Sequence, residues 1–213
     1  VLLASVEVLP DETRRVLRLL AAAGRRAPVE LLARAGGLDE LALDTALRPA
    51  VQRRVVLPDG DAGTYRFRHD LLAEAVASTL LPGERRRLHR GLAEVLEEDP
   101  SLAGSAPAGE LAHHWHRAGD LARALAVSPD AAREAERVHA TGEALTHVER
   151  VVALWGQVPD PEAVTGLDRV ALLAWEAALA HDTGEVRRAV TVMEQAMALL
   201  PDDADVHLSL IHI

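Results

Sequence analysis

Cysteine is absent from the 213 residues, and so is lysine: all 23 basic residues are arginine. The first absence removes disulfides, thiolate metal sites and cysteine nucleophiles, and it fits a reducing cytoplasm. The second removes Schiff-base chemistry and the phosphate-binding lysine of a P-loop. Aromatics are sparse, with three Trp, one Tyr and one Phe. The only Tyr and Phe, Tyr65 and Phe67, stand two apart, which suggests a single short β element. No signal peptide and no membrane-spanning run is visible, because the apolar stretches are short and broken by charge. The net charge of −10 argues against DNA as the main partner, since a protein that grips DNA needs local positive potential.

What is present favours helices. Hydrophobic residues make up 49% of the chain, mostly Ala, Leu and Val, and Ala and Leu lose little on entering a helix. Residues 11–25 read as a helix with Asp11 or Thr13 as cap and Val16, Leu19, Leu20 and Ala23 on one face. Pro28 suits the first position of a second helix, which Gly36-Gly37 stops. A third starts near Asp39, and Pro49 is expected to end or kink it at Arg48. The period then changes. Val55-Val56-Leu57 favours a strand, residues 58–63 are turn material, and Thr64 to His69 alternates, with Tyr65, Phe67 and His69 on one side. Helices followed by one hairpin are the plan of a winged helix. The hairpin runs into a helix that Asp70 could cap, and a further helix covers about 84–97.

Residues 98–109 are rich in Pro, Gly, Ser and Ala and read as a linker. Beyond it, small residues recur twelve apart: Ala112 with Ala124, Ala132 with Ala144, Ala177 with Ala189. A small side chain is needed where two helices of a hairpin touch closely. Ala177, Gly184, Ala189, Ala196 and Pro201 stand where a tetratricopeptide repeat wants its small, turn and terminating residues. The expected architecture is therefore mainly α: a winged-helix-like module with following helices over 1–97, a linker over 98–109, and tetratricopeptide-like repeats over 110–207. Both ends are expected to be cut, and residues 208–213 to be a non-native tail.

Three stretches carry a resemblance: YRFRHDLLAEAV, LPGERRRLHRGLAEVLEE and ELAHHWHRAGDLARAL. Together they resemble the region downstream of the ATPase domain in STAND-class signal-transduction ATPases, among them the large LuxR-type bacterial transcriptional regulators. Similar modules occur in some adenylate cyclases and protein kinases. The resemblance implies a regulatory fragment of an ATP-dependent bacterial regulator, without catalysis or cofactor of its own. ATP or ADP would bind an upstream nucleotide-binding domain of the same chain. An effector protein or small inducer would bind the repeats, and DNA would be reached only through a further C-terminal domain. The family's Met-His-Asp motif, whose His contacts the β-phosphate of ADP, matches Arg68-His69-Asp70, with Arg in place of Met. An imidazole beside a diphosphate can make a charge-assisted hydrogen bond.

Other candidates are weaker. His113 and His116 share a helix face and His114 does not, so a polar face is favoured over a metal site. Arg85, Arg86, Arg87 and Arg90 read as a solvated face paired with Glu84, Glu94 and Glu97. The helix at 39–54 could read DNA through Arg48, Arg53 and Arg54, making the chain a winged-helix DNA-binding regulator. A free-standing repeat adaptor is the other alternative. Trp115, Trp155 and Trp175 fit a repeat core, and no nucleophile–base–acid set can be assembled.

Overall fold

The computed structural model describes residues 4–24, 26–59 and 63–200. The 208–213 tail and the terminating Pro201 lie outside the described residues. The fold is mainly α with one small antiparallel sheet, and the chain divides into two compact units. One unit comprises the residues up to Gly104 together with Arg117–Gly119; the other comprises Ser105–His116 and the residues from Asp120 onward.

The first unit begins with α1 (Ala4–Glu7) and α2 (Asp11–Ala23), followed by β1 (Arg26–Pro28), α3 (Val29–Gly36), α4 (Glu40–Gln52), β2 (Val56–Pro58) and β3 (Thr64–Phe67). The helix–strand–helix–helix–strand–strand order, with sheet order β1-β3-β2, is a winged-helix-like arrangement. The sheet has three strands where the sequence suggested a two-stranded hairpin. Ala27 pairs with Tyr65 and Phe67 with Val56, so β3 is central. β1 was illegible because three residues cannot display an alternation. Pro28 and Pro58 both lie on edge strands, where a missing N–H costs no ladder bond. Pro28 accordingly ends β1 and precedes α3, rather than opening the helix.

Helix ends follow the sequence in part. Gly37 adopts φ 65° and closes α3, with the Leu38 N–H reaching the Ala33 carbonyl at 2.9 Å. Asp39 caps α4 by accepting from the Ala42 N–H at 2.7 Å. Neither Asp11 nor Thr13 caps α2. Pro10 holds the cap position without a side-chain bond, and Thr13 is buried. α4 does not end at Arg48 but continues through Pro49 to Gln52. Proline removes one intrahelical bond, while Ala46, Leu47 and Ala50, all buried, hold the segment against the core. The core-facing residues of α4 are Leu43, Ala46, Leu47 and Ala50; Leu41 is 76% exposed. Leu17, Leu20, Leu32, Leu43 and Leu47 are fully buried, each contributing about 1.5–3 kcal/mol of transfer free energy.

α5 (Asp70–Ser78) and α6 (Pro82–Glu98) complete this unit, with a 3₁₀ turn at Pro100–Ala103. Gly91 lets α6 lie close to α3: a Cβ there would stand 3.6 Å from the Ala35 carbonyl oxygen. Arg34 of α3 ties the end of α6 through Glu98 (2.9 Å) and Asp99 (3.5 Å).

The chain continues with α7 (Pro107–Ala118), which belongs to the second unit as far as His116, and then, in the second unit, α8 (Leu121–Arg137), α9 (Thr141–Leu154), the short α10 (Pro161–Thr165), α11 (Arg169–Asp182) and α12 (Val186–Met197). All six members of the alanine pairs, Ala112, Ala124, Ala132, Ala144, Ala177 and Ala189, are buried. The turn inside each pair has one left-handed residue at the same offset: Gly119 (φ 80°), His139 (φ 59°) and Gly184 (φ 84°). Glycine enters that region freely, and a side chain there costs about 1 kcal/mol. The three turns are thus one repeated device, with a histidine in the middle copy. Leu173 and Ala177 of α11 form a core with Val192 and Ala196 of α12.

Candidate functional site

The wing strand β3 ends at Phe67, which is buried opposite Val56. The Arg68 N–H still reaches the Val55 carbonyl at 3.0 Å, but the chain bends there. Strict alternation would have carried His69 inward beside Tyr65 and Phe67. The strand instead stops two residues before it, and His69 turns outward. His69 occupies the N-cap position of α5 in an extended conformation (φ −135°, ψ 131°), and its carbonyl accepts from the Leu72 N–H at 3.0 Å. Its imidazole does not cap the helix. Asp70, expected as the cap, is the first helical residue, with its carboxylate in the first turn. Arg68, His69 and Asp70 are all exposed, and Leu71 beside them is 64% exposed. The junction thus presents a cation, an imidazole, a carboxylate and an apolar side chain in sequence.

Tyr65, one turn of the pleat earlier, faces α4. Its hydroxyl donates to Asp44 Oδ1 at 2.8 Å. Partial burial and that bond to a carboxylate push the phenol up to about 12. This bond ties the wing strand to α4.

The remaining candidates sort by packing. Glu84 pairs with Arg18 of α2 at 3.4 Å, and Arg85 donates to the Ala77 carbonyl at the end of α5 at 3.1 Å. That stretch of α6 is therefore tied across elements as well, while Arg86, Arg87 and Arg90 are exposed on a solvated face. The outward residues of α4 are Glu40, Leu41, Thr45, Arg48 and Gln52, and Arg53 and Arg54 just beyond its end are exposed as well. His114 is buried and His113 is exposed, their ring centroids 5.3 Å apart at 71°; His116 is exposed. Trp115 is 1% exposed, with the Arg123 guanidinium 4.4 Å from its ring centroid. Trp155 and Trp175 are half-buried and similarly faced by Arg169 and Arg133.

Two features of the second unit had no sequence signal, because they depend on residues brought together from different helices. Arg188 of α12 meets Glu176 of α11 at 2.7 Å, Glu149 of α9 in a close ion pair, and Glu185 at 3.3 Å. Glu176 is 5% exposed, and its bond to the guanidinium raises the Arg188 pKa further. His147 of α9 is buried beside a small cavity between the starts of α7 and α9 and the C-terminal half of α8. Among the described residues, no helix is long and apolar enough to cross a membrane.

No family model matches the chain, and no solved structure matches it. Among curated proteins, an uncharacterized protein of Rhizobium meliloti is 30% identical over 166 residues. That match covers 76% of this chain and 16% of the relative, so the chain spans about one sixth of the length of the protein it resembles.

Proposed function

We propose that this chain is a non-catalytic regulatory segment of an ATP-dependent bacterial regulator of the STAND class, working in the cytoplasm. The first unit is the nucleotide-state switch, and the second is a scaffold for an effector. The observation that carries the reading is the outward turn of His69 at the strand–helix junction. A ring sealed between Tyr65 and Phe67 could not reach a nucleotide on another domain. This ring is exposed, framed by Arg68 and Asp70 on a rigid cap, with an uncovered Leu71 beside it. Such a surface suits docking against a second domain that holds a diphosphate. The match to a segment of a far longer protein supports a part that works beside other domains.

Docking would place the imidazole N–H against the β-phosphate of ADP. Rotation of the first unit on exchange for ATP would break the bond, giving a two-state switch whose balance the nucleotide sets. The test uses the longer protein that includes the nucleotide domain. His69→Ala is expected to speed ADP release and raise basal activity. Losing one charge-assisted bond, about 1.5–3 kcal/mol, corresponds to at least tenfold in ADP affinity. ADP retention equal to that of the parent sinks the proposal. Arg48, Arg53 and Arg54 are all exposed at the end of α4; salt-sensitive binding of duplex DNA by this chain would favour the DNA-binding alternative.

A further inference from the structure

The cavity beside His147 lies wholly within the second unit. It measures about 270 Å³ and is lined by Ser105, Ala106, Gly109, Ala131, Glu134, Ala135, Val138, Glu143 and His147. That size lies just below the range of drug-sized ligand sites, about 300–1,000 Å³, and so suits a ligand of few atoms. Ala106, Ala131, Ala135 and Val138 contribute methyl groups to its walls, and Ser105, Glu134, Glu143 and His147 are its polar residues.

His147 is 6% exposed, and Arg150 donates to its Nδ1 at 3.3 Å. An arginine can only donate, so Nδ1 is the acceptor and a neutral ring carries its proton on Nε2. Burial first, and then Arg150, hold the imidazole below its ordinary value, which keeps it neutral at pH 7. The nearest carboxylate oxygen to Nε2, Glu143 Oε1, stands 3.9 Å away, beyond hydrogen-bond reach. Nε2 is not a buried orphan: it opens onto the cavity, where water or the acceptor atom of a ligand can meet its N–H. Glu134 uses Oε2 to accept from the Ala108 and Gly109 N–H groups at 3.0 and 3.3 Å, and its second carboxylate oxygen shares neither bond. The charged groups around His147 are therefore Arg150 on the Nδ1 side, and Glu143 and Glu134 on the cavity side. Gly109 keeps the approach open: a Cβ there would sit 3.5 Å from Nε2, 3.7 Å from the Ala106 Cβ and 3.9 Å from Glu143 Oε1.

We infer that this cavity binds a small primary ammonium compound with an acceptor oxygen on a neighbouring carbon. The ammonium is held by Glu143 and Glu134, and the oxygen accepts from His147 Nε2–H. Amino alcohols have this chemistry, and so does the amino terminus of a peptide, whose first carbonyl supplies the oxygen. The inference names a ligand class for the scaffold proposed above and rests on that reading. It is measured on this chain with no nucleotide domain present, so its failure and that of the His69 switch are told apart.

The test is calorimetric titration of the 213-residue chain at pH 7.5 with ethanolamine, glycinamide, propylamine and acetate. Ligands of so few atoms reach at most roughly high-micromolar to millimolar affinity. Saturable binding of ethanolamine or glycinamide is expected, and whichever binds tighter identifies the source as an amino alcohol or a peptide terminus. Propylamine is expected to bind about tenfold more weakly for lack of the acceptor, and acetate not at all. Glu143→Gln should weaken binding about tenfold. Gly109→Ala should abolish it with an unchanged or raised melting temperature, because the methyl makes only ordinary contacts within a helix. The proposal is overturned by absence of saturable binding, by Gly109→Ala binding as well as the parent, or by propylamine matching ethanolamine and glycinamide.

Discussion

Replacing Arg188 with Met isolates the ion-pair cluster of the second unit while nearly keeping side-chain length. Arg188 faces carboxylates from α9, from α11 and from the residue before α12, so one cation joins three segments. Breaking a fully buried pair costs about 3–5 kcal/mol, mostly from the charge left behind. Here Glu176 has a side-chain exposure of 6%, but Arg188 and Glu149 are each 36% exposed and Glu185 is 48% exposed. Only the Glu176 arm therefore keeps the buried price, and the exposed arms add little. A loss of about 2 kcal/mol follows. For a unit of roughly a hundred residues that is a fall of about 8–16 °C in melting temperature. Scanning calorimetry, with near-ultraviolet circular dichroism of Trp155 and Trp175, reads the transition of this unit. Arg188→Met combined with Glu176→Gln removes the stranded charge and should melt above Arg188→Met alone. A single variant that melts within about 2 °C of the parent, or a double variant below the single, refutes the assignment of the cost to buried Glu176.

His139→Gly should stabilise the chain by about 1 kcal/mol, since it relieves a side chain at φ 59°; denaturant melts check it. At Gly91, Ala should be tolerated or mildly stabilising and Leu should cost about 1–3 kcal/mol, because only the longer side chain drives into the α3 backbone. Tyr65→Phe should cost about 1 kcal/mol through the lost bond to Asp44. His147 gives a pH dependence of definite sign. Its folded pKa lies below the ordinary value of 6.5, so the unfolded chain takes up the proton first. Its contribution is full above that value and is lost as pH falls towards the folded pKa; His147→Gln should flatten the decline in melts between pH 7 and 5.

Signals local in the chain were readable. Gly37 and Asp39 end and start helices by bonds to neighbours a few residues away, and the alanine pairs announce their contacts by spacing alone. Signals that depend on another element were not. β1 exists because β3 pairs with it, and its three residues hold no pattern of their own. Pro49 reads locally as a stop, yet packing of Ala46, Leu47 and Ala50 outweighs one missing bond. The outward turn of His69 likewise has no local signal: alternation alone places it beside Tyr65 and Phe67, but the chain bends after Phe67 to enter α5. The cavity at His147 needs side chains from three helices, and Gly109, which opens it, resembles any other small residue of the repeat.

The junction and the cavity share a physical logic. A folded chain can satisfy an exposed imidazole with water, so the position of His69 is cheap to keep and gains meaning only from what docks on it. The Nε2–H of His147 instead opens onto a cavity of about 270 Å³, where an occupant's oxygen can take the place of water. The two sites should therefore respond differently to loss of the histidine. His69→Ala should leave the melting temperature of this chain unchanged. His147→Leu leaves the Arg150 guanidinium without its Nδ1 partner and should lower the melting temperature, while it also removes the donor to the ligand oxygen. A clear destabilisation by His69→Ala would mean that its ring supports the fold at the strand–helix junction, and the switch reading would lose its premise.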